Sequence, residues 1–265
     1  QLTRRDAVIA LGGGVCGDMA GFAAGCYLRG IRYIHVPTTL LAAVDSSVGG
    51  KTAVDLKAGK NLAGLFHQPS AVLCDIRTLD TLPPAVFADG MAEAIKTGIL
   101  SGEELFGWCD HPREALDLAA IISACVAYKG AVVAEDEFET GRRRTLNLGH
   151  TAGHAIELCS DFAISHGQAV AMGMVLIARA GEKLGWTMPG LDRRISRTME
   201  QQGLPTVTPF SADDLARAAL HDKKRGGDEI TLVVPVQVGD CVLKTIPVSD
   251  LASVFAAGLE GQHGP

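Results

Sequence analysis

Apolar positions along this chain follow two regimes that meet near Thr81. Before it, Ala7–Leu11, Tyr33–Val36 and Ala71–Asp75 are short apolar runs set between glycine-rich and hydroxyl-rich breaks, the pattern of strands buried on both faces. A helix is expected over Asp18–Tyr27, between the first two strands. From Pro83-Pro84 to about Lys224 the spacing turns mainly helical. Phe87–Leu100, Ala115–Ala134 and Gln168–Leu184 read as helices, and the last is apolar nearly all round, which predicts burial. Lys129 interrupts the second helix and must either snorkel to solvent or serve a site. Ser211 with Asp214 has the form of a capping box opening Ala212–His221. Ile230–Val238 and Val242–Val248, joined through Gly239-Asp240, predict a β-hairpin, after which Ser249 is expected to cap a last helix reaching about Leu259. No internal repeat is present.

Composition narrows this picture. A chain of 265 residues can bury a full core and is expected to form two domains, here divided at 1–81 and 82–265. Aromatics make up only 5%, so the core must be mostly Ala, Val, Leu and Ile. A net charge of −6, without an aromatic-interleaved basic patch, argues against nucleic-acid binding. The seven cysteines are odd in number and never spaced CxxC, which reads as reduced buried thiols of a cytoplasmic protein. The longest apolar run, Ala169–Ala178, is too short to span a bilayer, so no membrane association is expected. Gln1–Arg5 leads into no signal-peptide pattern, and a strand follows it almost at once, so the chain reads as a fragment.

Several stretches carry candidate chemistry. Gly12-Gly13-Gly14-Val15-Cys16-Gly17-Asp18 follows the first strand and satisfies G-x-G-x-x-G, a loop that lets a helix N-terminus meet a pyrophosphate. The same glycines also suit a tight strand-to-helix turn with nothing bound. Thr38 and Thr39 stand at the end of the second strand, where ligands of such sheets sit. Asp45–Asp55 (DSSVGGKTAVD) imitates a P-loop, but Asp45 occupies the required first glycine position, which rejects nucleotide hydrolysis. What remains is a glycine-rich loop presenting Lys51, with Lys57, Lys60 and Asn61 behind it; a solvated lysine run has the same form. Glu93 and Lys96 share one side of a helix, as a surface ion pair also would. In Glu135–Ala171, His150 and His154 lie four apart on one helical face, and His166 follows Ser165, where a second helix can begin. Gly149 and Gly153 leave that face open to a ligand. Facing imidazoles suit zinc, although i,i+4 histidines can equally be a polar surface pair.

Taken together, GGGVCGD, VPTTLLAAVDSSVGGKTAVD with GKN, GMAEAIKTGIL, NLGHTAGHAIE and HGQAVAMGM resemble the 3-dehydroquinate synthase family, from about Ala7 to Leu184 and again weakly at Asp222–Lys224. The resemblance implies an α/β plus α chain: an incomplete Rossmann-like NAD-binding domain, then a mainly helical metal- and substrate-binding domain with a small β-hairpin. It implies a phosphate-eliminating lyase of the shikimate pathway, which forms 3-dehydroquinate from 3-deoxy-D-arabino-heptulosonate 7-phosphate. Catalytic NAD and one divalent metal, zinc or else cobalt, are its implied cofactors. The family's metal ligands fall on Glu93, His150 and His166. NAD positions fall on Gly13, Gly14, Gly17, Asp18, Thr38, Thr39, Asp45, Lys51, Lys60, Thr78 and Thr81. Catalytic and substrate positions fall on Lys51, Asn61, Lys96, Lys129, Glu139, Arg143, Asn147 and His154, with either Lys223 or Lys224 added. Arg29 matches an arginine that reaches the neighbouring subunit of a homodimer.

In the implied chemistry, oxidation at C5 acidifies the C6 proton, phosphate leaves by β-elimination, the hydride returns, and an intramolecular aldol closes the ring. Phe138 departs from the family pattern, which has a basic residue there. The family's segment before GGGVxGD is also missing, which bears on whether this chain alone is active. Rival readings are a metal-dependent polyol dehydrogenase, a sister sugar-phosphate cyclase and a non-catalytic assembly module. The many cations argue against the first, and Arg143 with Lys129 favours a carboxylate-bearing substrate over the second.

Overall fold

The structure, a computed structural model, describes residues 2–57, 59–221 and 227–261. The chain divides into two compact units, 1–94 with 117–143 and 95–116 with 144–265.

The first unit is built on the expected short strands, but the first of them is not buried on both faces, since Ile9 and Leu11 are exposed. β1 (Ala7–Gly12) leads into α1 (Gly14–Cys26), and β2 (Arg32–Pro37) returns parallel to β1 with Ala7 opposite Arg32 and Gly12 opposite Pro37. β3 (Lys51–Leu56) and β4 (Gly59–Phe66) form a separate antiparallel pair, and β5 (Ala71–Val72) joins the other side of β2. The three-stranded parallel sheet with a helical crossover is the Rossmann-like arrangement expected. Its small core gathers Ala24, Ile31 and Tyr33, with Val8 packed against them. α1 begins four residues earlier than its pattern suggested, since the helix opens inside the glycine loop itself. The glycine and lysine loop is corrected outright: Lys51 opens a strand, and Lys60 and Asn61 lie on its hairpin partner. Gly21 makes room for this hairpin, since a Cβ there would stand 2.5 Å from Thr52 Cγ2.

α2 (Pro84–Ser101) starts in the first unit and continues into the second, followed there by α3 (Glu103–Cys109). α4 (Leu118–Glu135) returns to the first unit, capped by Asp117, whose carboxylate accepts from Ala120 N at 3.0 Å. By length and composition α4 is apolar enough to cross a membrane, a test the apolar-run reading overlooked because Lys129 interrupts the sequence. That lysine is ion-paired within the unit, as described below.

The second unit is organised around a single helix. α5 (His150–Cys159) and α6 (His166–Lys183) come first, then α7 (Leu191–Gln201) and α8 (Ala212–His221). β6 (Glu229–Gln237) and β7 (Asp240–Pro247) form the expected hairpin, and α9 (Leu251–Leu259) follows. Thirteen of the 18 residues of α6 are buried because α5, α7, α9 and β6 all pack around it. Pro235 sits where the β6–β7 register shifts, one of the few places a strand tolerates proline. Ser211 and Asp214 cap α8 as anticipated, with Asp214 N donating to Ser211 Oγ at 3.2 Å. Ser249 does not cap α9. It lies inside a 3-10 turn, Val248–Asp250, and its hydroxyl donates to the Asp250 carboxylate at 3.0 Å.

Glycine decides how closely α5 and α6 approach. Gly149, left-handed at φ 77°, is the N-cap of α5, and a Cβ there would meet Met174 Cγ at 2.5 Å. A Cβ on Gly173 would fall 2.2 Å from Gly149 O. The helices therefore touch backbone to backbone. This corrects the reading of Gly149 and Gly153 as an opening for a ligand: both are buried, and the space they leave is filled by α6.

Candidate active site

In the first unit the candidate residues form three groups. The first surrounds the α1 N-terminus. Gly13 is its N-cap, with no side-chain cap, so the backbone donors of the first turn remain for a ligand. Thr39 lies against it, 3.0 Å from where a Gly13 Cβ would be, and Thr38 N donates to Gly12 O at 2.9 Å. An open cleft of about 850 Å³ is lined by Gly13, Gly14, Val15, Met19 and Thr39 among others. Gly17 faces inward: a Cβ there would lie 2.0 Å from His35 Cε1, so the imidazole occupies the space. The His35 ring is 2% exposed; burial lowers its pKa, while a hydrogen bond to the Gly12 backbone opposes that shift. Thr78 and Thr81 lie further along, Thr78 in the 3-10 turn Ile76–Leu79, where its hydroxyl donates to Asp75 O at 2.7 Å. Arg29 stands exposed in the 3-10 turn Tyr27–Arg29 with a left-handed φ of 66°.

The second group is electrostatic. Asp45 lies in the π-helical turn Ala42–Ser46, against which α4 packs. Lys129 Nζ donates to Asp45 O at 2.6 Å and stands 3.0 Å from Asp45 Oδ1. Burial pushes the Asp18 carboxyl up to about 6; Lys129 opposes the shift, while Asp45 and Asp55 add to it. The sign follows from the raised value. The contribution of Asp18 to stability is complete below its ordinary 3.8 and is lost as pH rises through about 6. Asp18→Asn, lacking the charge, is expected to raise the melting temperature at pH 8 and leave it unchanged at pH 4, in melts without nucleotide. Equal shifts at both pH values would remove the carboxylate as the cause.

The third group joins the β3–β4 hairpin to the segment after α4. Asp136 folds this segment by accepting from Thr140 N, Gly141 N and Arg143 N at 2.8–2.9 Å. Glu139, at a left-handed φ of 60°, forms an ion pair with Lys51. Arg143 is 1% exposed; it donates to Gly49 O at 2.8 Å and to Glu137 O, and lies 5.7 Å over the Phe66 ring. Phe138, the departure noted in the sequence, packs edge-on against Phe66 at 5.3 Å. Asn61, also left-handed, donates its N–H to Asp55 Oδ1 at 2.9 Å.

The second unit holds Lys96, Asn147 and the histidines. Lys96 is buried on α2, one helical turn beyond the equally buried Glu93. Asn147 ends the 3-10 turn Arg142–Asn147. His150 and His154 lie 5.4 Å apart on α5, and His166, the first residue of α6, is 5.3 Å from His150 and 6.1 Å from His154. Ser165 and Gln168 complete a reciprocal capping box that fixes where α6, and with it His166, begins. Both His150 and His166 turn Nδ1 onto a protein acceptor, Leu148 O at 3.1 Å and Glu157 Oε2 at 3.5 Å. Paired imidazoles anchored in this way suit a transition metal. Glu157, 5% exposed, is a residue the sequence reading did not single out; its place one turn after His154 on the same helix was the available signal. Ligand atoms of His154, Glu157 and His166 lie within 4.8 Å of one another. Lys223 and Lys224 fall outside the described residues.

Residues 1–89 match the family described as 3-dehydroquinate synthase N-terminal, and residues 90–225 the one described as 3-dehydroquinate synthase C-terminal. A 3-dehydroquinate synthase of Enterococcus faecalis is 43% identical over 257 residues, covering 95% of this chain and 72% of that protein. Among solved structures, 2-deoxy-scyllo-inosose synthase complexed with carbaglucose-6-phosphate, NAD+ and Co2+ superposes with a TM-score of 0.87 at 32% identity, over 97% of this chain and 76% of that one. A 2-epi-5-epi-valiolone synthase from Streptomyces hygroscopicus with NAD+ and Zn2+ bound gives 0.85 at 27% identity, over 98% and 75%.

Proposed function

This chain belongs to the 3-dehydroquinate synthase family, and from that premise we infer that it closes the carbocycle of 3-dehydroquinate from 3-deoxy-D-arabino-heptulosonate 7-phosphate with loss of phosphate. The single observation that carries the site reading is the cluster of His150, His154 and His166 on α5 and α6. We assign Glu93, His150 and His166 as ligands of one divalent metal, because two imidazoles and a carboxylate leave a coordination place open, as catalytic zinc sites do. NAD is assigned to the α1 N-terminus, with Gly13, Gly14, Gly17 and Asp18, together with Thr38, Thr39, Asp45, Lys51, Lys60, Thr78 and Thr81. The bound groups supply hydride acceptance and return at C5 and Lewis-acid assistance to its alcohol.

The chain's own residues do the rest. An acidic protein that binds a substrate with both a carboxylate and a phosphate must concentrate cations locally, and Lys51, Lys96, Lys129 and Arg143 are assigned that task. Asn61, Glu139 and Asn147 are assigned to the substrate site, and His154 to proton transfer or phosphate binding near the metal. Holding one substrate through successive steps makes each effectively unimolecular. Arg29 is assigned to the site of a second copy of the chain.

The test is turnover of the phosphorylated heptulosonate with NAD and zinc present. The expected result is equimolar phosphate and 3-dehydroquinate with no net reduction of NAD. Net NADH without phosphate release would instead make the chain a polyol dehydrogenase.

A further inference from the structure

The metal assignment leaves a buried carboxylate beside the histidine cluster without a role. Glu157 lies on α5, and its side chain is 6% exposed. A carboxylate withdrawn from water is costly unless a positive or hydrogen-bonding partner meets it. Its Oε2 stands 3.5 Å from His166 Nδ1. On the other ring the arrangement repeats with a backbone acceptor: His150 Nδ1 stands 3.1 Å from Leu148 O. An imidazole that donates through Nδ1 is fixed in one tautomer and offers Nε2 as its ligand atom, and a carboxylate acceptor also raises the basicity of that nitrogen.

We infer that Glu157 is a positioning residue, which holds His166 through Nδ1 so that Nε2 is its ligating nitrogen, and does not itself bind the metal. The inference rests on the metal reading proposed above. Glu157 differs from the Leu148 carbonyl in bringing a charge: a metal-bound imidazole is more acidic than a bare one, and a carboxylate answers that acidity where a carbonyl only orients. The competing arrangement is direct ligation, since ligand atoms of His154, Glu157 and His166 come within 4.8 Å of one another.

The experiment measures zinc affinity by chelator competition, and the electronic spectrum of the cobalt form, for the whole chain and for Glu157→Gln, Glu157→Ala and His166→Ala. A positioning role predicts that Glu157→Ala weakens metal binding about 10–100-fold with the cobalt coordination number unchanged. Glu157→Gln, whose amide oxygen still accepts from Nδ1 but brings no charge, should recover part of that loss. If Glu157→Ala does not fold by circular dichroism, Glu157→Gln against the unaltered chain and His166→Ala decides. Metal binding in Glu157→Ala equal to the unaltered chain would overturn the inference while leaving the metal site standing. Loss in Glu157→Gln as complete as in His166→Ala, with an altered cobalt spectrum, would make Glu157 a ligand. Failure of the unaltered chain to bind zinc or cobalt would instead remove the metal reading on which the inference depends.

Discussion

Replacing His150 or His166 with alanine is expected to remove both the metal and turnover, whereas His154→Ala should keep the metal and lose about 10²–10⁴-fold in rate, the usual size of a general acid–base contribution. The physical basis lies in how the three rings are held. His150 Nδ1 stands 3.1 Å from Leu148 O and His166 Nδ1 3.5 Å from Glu157 Oε2, and a ring that donates there presents its other nitrogen to the metal. His154 sits one turn along α5 and is the most exposed of the three, which suits proton exchange with solvent. The measurements are zinc content and single-turnover rate, made on the same preparations. Zinc lost from His154→Ala would transfer it to the ligand set.

A second large effect is expected from a single methyl group. Gly17→Ala should destabilise the protein by about 1–3 kcal/mol, the usual cost of overfilling a packed site. Its Cβ would lie 2.0 Å from His35 Cε1 and 2.5 Å from Nε2, so the buried ring or the backbone of α1 must shift. The third glycine of the loop is thus required by a neighbouring ring, whether or not a ligand is present. Urea denaturation of Gly17→Ala, His35→Ala and the double variant tests this. The double variant should be less destabilised than the sum of the two, because removing the ring makes room for the methyl. Strict additivity would mean that the ring is not the obstacle.

Much of the fold could be read from spacing because burial leaves a clear record. Ala7–Leu11 and Tyr33–Val36 could be read as strands from short runs rich in apolar residues, although β1 leaves Ile9 66% and Leu11 65% exposed, so the expected burial of both faces does not hold there. Gln168–Leu184 is apolar nearly all round because four elements pack on α6. The β3–β4 hairpin could not be read this way. Its residues include Lys51, Asp55, Gly59, Lys60, Asn61 and Gly64, types depleted in strands, and most of its second strand is exposed or half-buried, so no alternation was visible. The nearness of the three histidines followed from helical spacing plus one helix start at Ser165. Glu157 and His35 escaped notice because their significance lies in what they touch across elements, which spacing along one element does not encode.

The ion pair between Lys51 and Glu139 has a consequence for selectivity. Glu139 acts as a tethered competitor: any incoming anion must displace a carboxylate already present at high local concentration. Asp136 and the Phe66–Phe138 contact hold the segment that carries it, so the competitor does not simply drift away. A small ion meeting Lys51 alone exchanges one salt link for another and gains little. A ligand that engages Lys51 together with further contacts gains from all of them at once and wins the exchange.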